Sequence, residues 1–291
     1  MGIAAQMATA ARMQRNHLDC VQGEMAFARR SPDETAPEFV VKGYDHVPMV
    51  KYDVPIHDAR PVVSGFTLDR EGFNLVKHKI SFADEPDPTV MADKYLAEMV
   101  PFIKDYFKAA QVVPRRDGVI VRSVSGSADP TKEQYASKPV SQTRVAGFAH
   151  IDYSSVAGPM LAAYENQNQG LPIQAYSRLM VIQAWRAVSP PPQDFPLAFC
   201  DGTSIKDTDL YESYYDRYEL KHKTWILQRN PSHRWYYFPD MTSDEFVLFK
   251  GYDSLDECNP RCAHAAFDNR RATPHAHPRR SIEARFSVYF D

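Results

Sequence analysis

The chain has 291 residues, 44% of them hydrophobic, enough to fill the core of one large domain or two small ones, which excludes disordered, collagenous and fibrous classes. Thirty-four Lys and Arg against 37 Asp and Glu leave a net charge of -3 with no basic block to grip a phosphate backbone, so nucleic acid is not an expected partner. The longest apolar runs, such as Leu179 to Ile182, fall far short of the ~20 residues of a membrane-spanning helix, and no membrane association is expected.

The first nineteen residues are rich in Ala and Met, carry Arg12 and Arg15, and contain no acidic residue before Asp19. They lack the apolar stretch of about 7–15 residues that a secretory signal needs. Gln6 also stands where a myristoylation signal needs Ser or Thr. Residues 1–38 are read as a partly flexible N-terminal arm, Ala-rich and a candidate for exchange between the subunits of a homodimer. A single domain is expected over 39–291, beginning where a polar stretch gives way to Phe39-Val40-Val41. Four cysteines (Cys20, Cys200, Cys258, Cys262) without a secretory signal point to free thiols in a reducing, cytoplasmic setting.

Apolar residues at three- and four-residue spacings from Met91 to Phe107 predict a helix over about Thr89 to Ala110, with Pro101 expected to kink or divide it. From residue 118 onward the chain changes to short β-branched and aromatic runs: Val119 to Val124, Arg178 to Val188, Thr224 to Leu227, Arg234 to Phe238, Glu245 to Phe249 and Ser281 to Phe290. A second amphipathic helix is predicted from Asp207 to about Leu220, on Leu210, Tyr214, Arg217 and Tyr218. Short strands in series, separated by turns such as Arg229-Asn230-Pro231-Ser232, indicate a mainly β architecture, a jelly roll with helices on one side.

Within the β region lies His150-Ile151-Asp152. On a strand, residues i and i+2 share a face about 6.6 Å apart, so an imidazole and a carboxylate can reach one metal ion. A bare His-x-Asp is weak evidence, since surface and turn pairs of this kind arise by chance. Its company strengthens it: an isolated His264, then a C-terminal strand holding Arg285-Phe286-Ser287. Two imidazoles and one carboxylate on one face of an octahedral ion leave three open positions, as in non-haem Fe(II) oxygenases. A 2-oxo acid can take two of them and O2 the third. Arg285 and Ser287, both on the inward face of the last strand, offer a planar fork for the distal carboxylate of such an acid and a hydroxyl beside it.

Eight strings carry a family resemblance, in order, over about residues 45 to 290: Leu68 to Leu75, Ala149 to Asp152, Gln183 to Arg186, Asp194 to Asp201, Trp235 to Phe238, Phe249 to Ser254, His264 to Phe267 and Arg280 to Arg285. On them the chain resembles the hydroxylase/desaturase family of fungal secondary-metabolite clusters, related to the small partner protein of the bacterial cephamycin 7α-methoxylase. The resemblance implies a double-stranded β-helix (cupin-like), Fe(II), 2-oxoglutarate and O2 as co-substrates, and oxidation of an unactivated C–H bond of a small molecule of secondary metabolism by hydroxylation, desaturation or cyclisation. It puts His150, Asp152 and His264 at the family's iron-ligand positions. For 2-oxoglutarate it leaves Arg280 and Arg285, on opposite faces of one strand by parity, with Arg285 favoured. Where the family often has Asn-x-Trp-Arg-Pro, this chain has Gln183-Ala184-Trp185-Arg186-Ala187. His275 and His277 are alternatives to His264 as the distal ligand.

Cys258, Cys262 and His264 could be read as a zinc hook, but a fourth ligand is missing and a reduced loop pair is the simpler expectation. Arg186, a further co-substrate candidate, is read first as a buried ion-pair partner, with Asp201 as its expected carboxylate. Two other readings stand beside the dioxygenase: an iron oxidase or redox-neutral cyclase working without 2-oxoglutarate, and a non-catalytic jelly-roll accessory subunit.

Overall fold

The computed structural model describes residues 17–29, 47–82, 84–123, 140–143, 146–217, 220–258, 260–269 and 272–291. Its strands, in chain order, are β1 (Cys20–Ala28), β2 (Met49–Asp58), β3 (Phe73–Lys77), β4 (Gln111–Pro114), β5 (Val119–Ser123), β6 (Val140–Thr143), β7 (His150–Ile151) and β8 (Arg178–Ala187). They continue with β9 (Leu197–Cys200), β10 (Leu210–Arg217), β11 (Leu220–Leu227), β12 (Trp235–Tyr237), β13 (Glu245–Asp253), β14 (His264–Ala266), β15 (Asp268–Asn269) and β16 (Arg280–Phe290). Among the described residues two α-helices accompany them, α1 (Pro88–Phe107) and α2 (Ala157–Asn168).

A nine-stranded sheet runs in the order β10-β11-β7-β14-β9-β12-β2-β1-β15, and a seven-stranded one in the order β3-β13-β8-β16-β5-β6 with β4 also on β16. The two inner faces share one aromatic cluster. Trp185, Val247 and Phe249 of the smaller sheet meet Phe199, Tyr236 and Ala266 of the larger. This is the expected jelly roll: alternation along each strand sends every second side chain into the space between the sheets.

α1 covers the outer face of the smaller sheet, burying Met91, Tyr95, Met99 and Ile103 against Ile182, Ala184, Phe286 and Val288. Asp87 caps it, its carboxylate accepting from the N–H groups of Thr89 and Val90, and Lys108 closes it in the left-handed conformation. Pro101 does not divide the helix. Pro101 and Ala97, whose carbonyl it cannot bond, are both exposed, so the freed acceptor need not be satisfied inside the protein.

Two expectations change. The predicted helix at Asp207 to Leu220 is a 3-10 turn, Asp207–Asp209, followed by β10 paired with β11 over eight residues. Leu210 and Tyr214, spaced by four, fit period 2 as well as period 3.6, and the aromatic run Tyr211, Tyr214, Tyr215 favours the strand; Tyr218 lies outside the described residues. Within the segment read as an arm, β1 pairs with β2 along its whole length and buries Val21, Met25 and Phe27. Its polar alternate residues hide it from a search for apolar runs. Residue 39, the expected domain start, lies outside the described residues.

Candidate metal centre

β7 and β14 are neighbours, and His150 faces His264 in register. Parity then sorts the side chains. Ile151 and Ala265 pack on the outer side of the large sheet, whereas His150, Asp152 and His264 project into the barrel. One ligand atom from each of the three lies within 4.8 Å of the others, and among the described residues no other group of three His, Cys, Asp or Glu side chains converges in this way. The two imidazole centroids are 4.3 Å apart.

Each of the three candidate ligands has a second contact. His150 sets Nδ1 2.9 Å from the Phe148 carbonyl, so Nδ1 carries the proton and Nε2 is free to ligate. That Nε2 is 3.4 Å from Asp152 Oδ1. His264 Nδ1 lies 3.4 Å from the Cys262 carbonyl, and the His264 ring packs edge-on against Phe249 at 4.7 Å. Burial, reinforced by His150, pushes His264 down to about 3, so its imidazole is neutral and its lone pair available. For Asp152, burial disfavours the charge, but Arg285 and then the two histidines outweigh it and hold the carboxyl well below the usual carboxylate range. Two imidazoles, that of His264 neutral, and an ionised carboxylate on one face fit a divalent transition metal.

Arg285 sits directly beside this cluster. Its Nη2 is 2.5 Å from Asp152 Oδ2 and 2.8 Å from Glu283 Oε1, and its Nη1 donates to the Gly118 carbonyl at 3.2 Å. Burial works against its charge, but Glu283 and Asp152 raise its affinity for the proton above that of an ordinary guanidinium. Ser287 follows on the same face of β16.

The other expected residues lie elsewhere. Arg280 points away and donates to the Glu85 carbonyl. Arg186 is buried beneath α1, on the far side of the sheet, where it donates to the carbonyls of His78 (2.9 Å) and Ser243 and stacks on Phe246 at 4.9 Å. Asp201, its expected carboxylate, pairs with Arg234 instead. His275 and His277 are exposed and outside the cluster. Cys258 and Cys262 are free thiols, and neither joins His264 in a ligand group.

Three neighbours of Arg285 were missed at the level of sequence. Glu283 follows from strand parity, two residues before Arg285. Gln183 is aligned with Arg285 across β8 and β16, and its buried Oε1 has no hydrogen-bond partner among the described residues. Tyr153 is buried beside Arg285 and Arg115. Only strand register discloses Gln183, and only the turn after Asp152 brings Tyr153 in.

Residues 25–289 match the family model described as "Oxidoreductase/YMDC permease-like domain". The chain is 29% identical over 251 residues to the hydroxylase/desaturase efuI of Hormonema carpetanum, covering 82% of this chain and 83% of that one. It is 28% identical over 244 residues to the Fe(II)/2-oxoglutarate-dependent dioxygenase nvfI of Aspergillus novofumigatus, with the same coverage. A solved structure titled as the iron and alpha-ketoglutarate-dependent endoperoxidase NvfI superposes with a TM-score of 0.73 at 26% identity, over 93% of this chain and 98% of the other. With its barrel, its two histidines and its aspartate, the chain belongs to this oxidoreductase family, among the fungal secondary-metabolite hydroxylase/desaturases of the Fe(II)/2-oxoglutarate-dependent dioxygenase type.

Proposed function

We propose that His150, Asp152 and His264 hold Fe(II), that Arg285 with Ser287 receives a carboxylate of 2-oxoglutarate, and that the chain oxidises a C–H bond of a small secondary-metabolite intermediate by hydroxylation, desaturation or ring formation. The observation that carries this reading is the convergence of the three ligand atoms within 4.8 Å on the inner face of the barrel, with Arg285 on the aspartate. Iron bound there, with 2-oxoglutarate and O2, supplies the oxidant that attacks an unactivated C–H bond. The protein's own residues orient and shield. Phe148 fixes the His150 tautomer, Arg285 keeps Asp152 ionised, and Phe199 and Phe249 wall the His264 side against water. Described residues include no helix long and apolar enough to cross a membrane, and the four free cysteines support a cytoplasmic location.

The test is anaerobic. Addition of Fe(II) and then 2-oxoglutarate to metal-free protein is expected to give the weak visible charge-transfer band of the chelate, absent in His264→Ala. Iron binding without the band would favour an oxidase or cyclase, and no iron binding at all an accessory role.

A further inference from the structure

The candidate metal centre holds one carboxylate more than its ligand set uses. Counting back by two from Arg285 along the inner face of β16 gives Glu283, while the alternate residues Ile282, Ala284 and Phe286 pack under α1. Glu283 is 5% exposed, and its cross-strand neighbours are apolar: Ile120 on β5 and Trp185 on β8 stand in register with it. A carboxylate buried between two such side chains is costly unless a cation answers it. Arg285 does so, its Nη2 lying 2.8 Å from Glu283 Oε1. That contact is not a directed hydrogen bond, and Oε1 is buried without one among the described residues.

The directed bonds of Arg285 go to the other carboxylate. Asp152 Oδ2 accepts from Nη2 at 2.5 Å and from Nε at 3.3 Å, while Oδ1 stands 3.4 Å from His150 Nε2. One guanidinium is thus shared by two buried carboxylates, and Asp152 has the better share. Asp152 is the one carboxylate among the three residues that converge, so a guanidinium lying on it cancels the charge that would draw a dication between the two imidazoles. Nearby cations sharpen the problem. Arg122 on β5 is in register with Ser281, and Arg279 precedes β16, with Asp194 accepting from its backbone N–H. Glu283 stands between these cations and Asp152, in contact with the one that lies on the aspartate.

We propose that Glu283 is a positioning residue of the metal centre: it competes with Asp152 for the Arg285 guanidinium and so leaves the Asp152 charge to a divalent ion held by His150, Asp152 and His264. The inference rests on the dioxygenase reading and goes beyond it by giving a function to a carboxylate outside the ligand set. It also accounts for the half-made contact at Oε1, which is a place kept for the guanidinium when a metal claims the aspartate.

The experiment titrates Zn(II) into the metal-free full chain by calorimetry. Glu283→Gln keeps the shape of the side chain and removes its charge, whereas Glu283→Asp keeps the charge and changes the shape. Groups that back up metal ligands typically account for about 10–100-fold in affinity. Zn(II) is therefore expected to weaken about tenfold or more in Glu283→Gln, and Glu283→Asp is expected to recover part of the loss. In an Arg285→Gln background the same Glu283→Gln change is expected to cost less than about threefold, because no guanidinium is left to compete for. A residue that only packs against Ile120 and Trp185 would follow shape rather than charge. Unchanged Zn(II) affinity in Glu283→Gln, equal loss in the Gln and Asp variants, or the full loss persisting in the Arg285→Gln background overturns the inference. Should Glu283→Gln fail to fold, a crystal structure of the Zn(II)-loaded wild type decides: Arg285 drawn from Asp152 Oδ2 onto Glu283 supports the competition, and Arg285 unmoved overturns it. Failure of the wild type to bind Zn(II) at all would overturn the dioxygenase reading, and the inference with it.

Discussion

Asp253→Asn would strike the ion cluster that secures the loop leading into His264. The Asp253 carboxylate is fully buried and accepts from Arg178 Nε at 2.9 Å, Arg178 Nη2 at 2.5 Å, Lys250 Nζ at 2.7 Å and the Leu255 N–H at 3.1 Å. Lys250, itself buried, also grips Asp69 and donates to the Cys258 carbonyl at 2.6 Å, so strand, loop and the approach to β14 meet on one ammonium. Breaking a buried pair by removing one charge costs about 3–5 kcal/mol. Here Asp69 still serves Lys250 and Arg178 is 24% exposed, which lowers the expected loss to about 2–4 kcal/mol, or roughly 5–15 °C in Tm. The pH dependence follows from the depressed titration of Asp253: burial opposes its charge, but Arg178 and Lys250 prevail. A carboxylate titrating lower in the folded than in the unfolded state contributes stability that is fully present above the ordinary carboxyl value and is lost as pH falls through the folded one. The gap between wild type and Asp253→Asn should therefore be constant near neutrality and shrink in acid. Urea unfolding followed by fluorescence at neutral and acidic pH measures it. A neutral-pH difference below about 0.5 kcal/mol, or a gap that widens in acid, would refute the assignment.

Gly251→Ala places a Cβ 2.7 Å from the Tyr153 ring and 3.1 Å from Gln183 Oε1, and overpacking of this kind costs about 1–3 kcal/mol; Tyr153 follows Asp152, so Zn(II) affinity should fall along with Tm. Arg186→Met lies outside the barrel and should leave Zn(II) and 2-oxoglutarate binding unchanged within about twofold, while stability falls by about 1–3 kcal/mol because the His78 and Ser243 carbonyls lose their donor. His233 titrates below its ordinary value because burial outweighs its 3.0 Å contact with Asp209. A group that gains its proton more readily unfolded than folded destabilises the fold as pH drops below its ordinary value. The urea midpoint should accordingly fall between about pH 6.5 and 5, and fall less in His233→Phe.

The mainly β class, α1 and the side-chain types of the three residues that converge were legible in the chain. Apolar runs rich in β-branched and aromatic residues, such as Arg178 to Val188 and Ser281 to Phe290, became β8 and β16 almost residue for residue. The His-x-Asp spacing needs only strand geometry to bring two ligands to one face. β1 and β10 were not legible, because a strand whose alternate residues are polar or whose spacing suits two periods is decided by its partner, β2 for one and β11 for the other. The separation of Arg285 from Arg280 followed from parity alone, a local rule. What parity cannot give is register between strands distant in sequence. His264 meets His150 across 114 positions because β14 and β7 are adjacent in the larger sheet, Gln183 stands beside Arg285 because β8 and β16 align, and Arg279 lies over Trp185 for the same reason. Side-chain type and strand period are local properties of the polymer, so the sequence alone carries the ligands and the faces. Which face meets which is set by long-range pairing and packing, so only the tertiary structure brings the cations, carboxylates and imidazoles into one enclosed space.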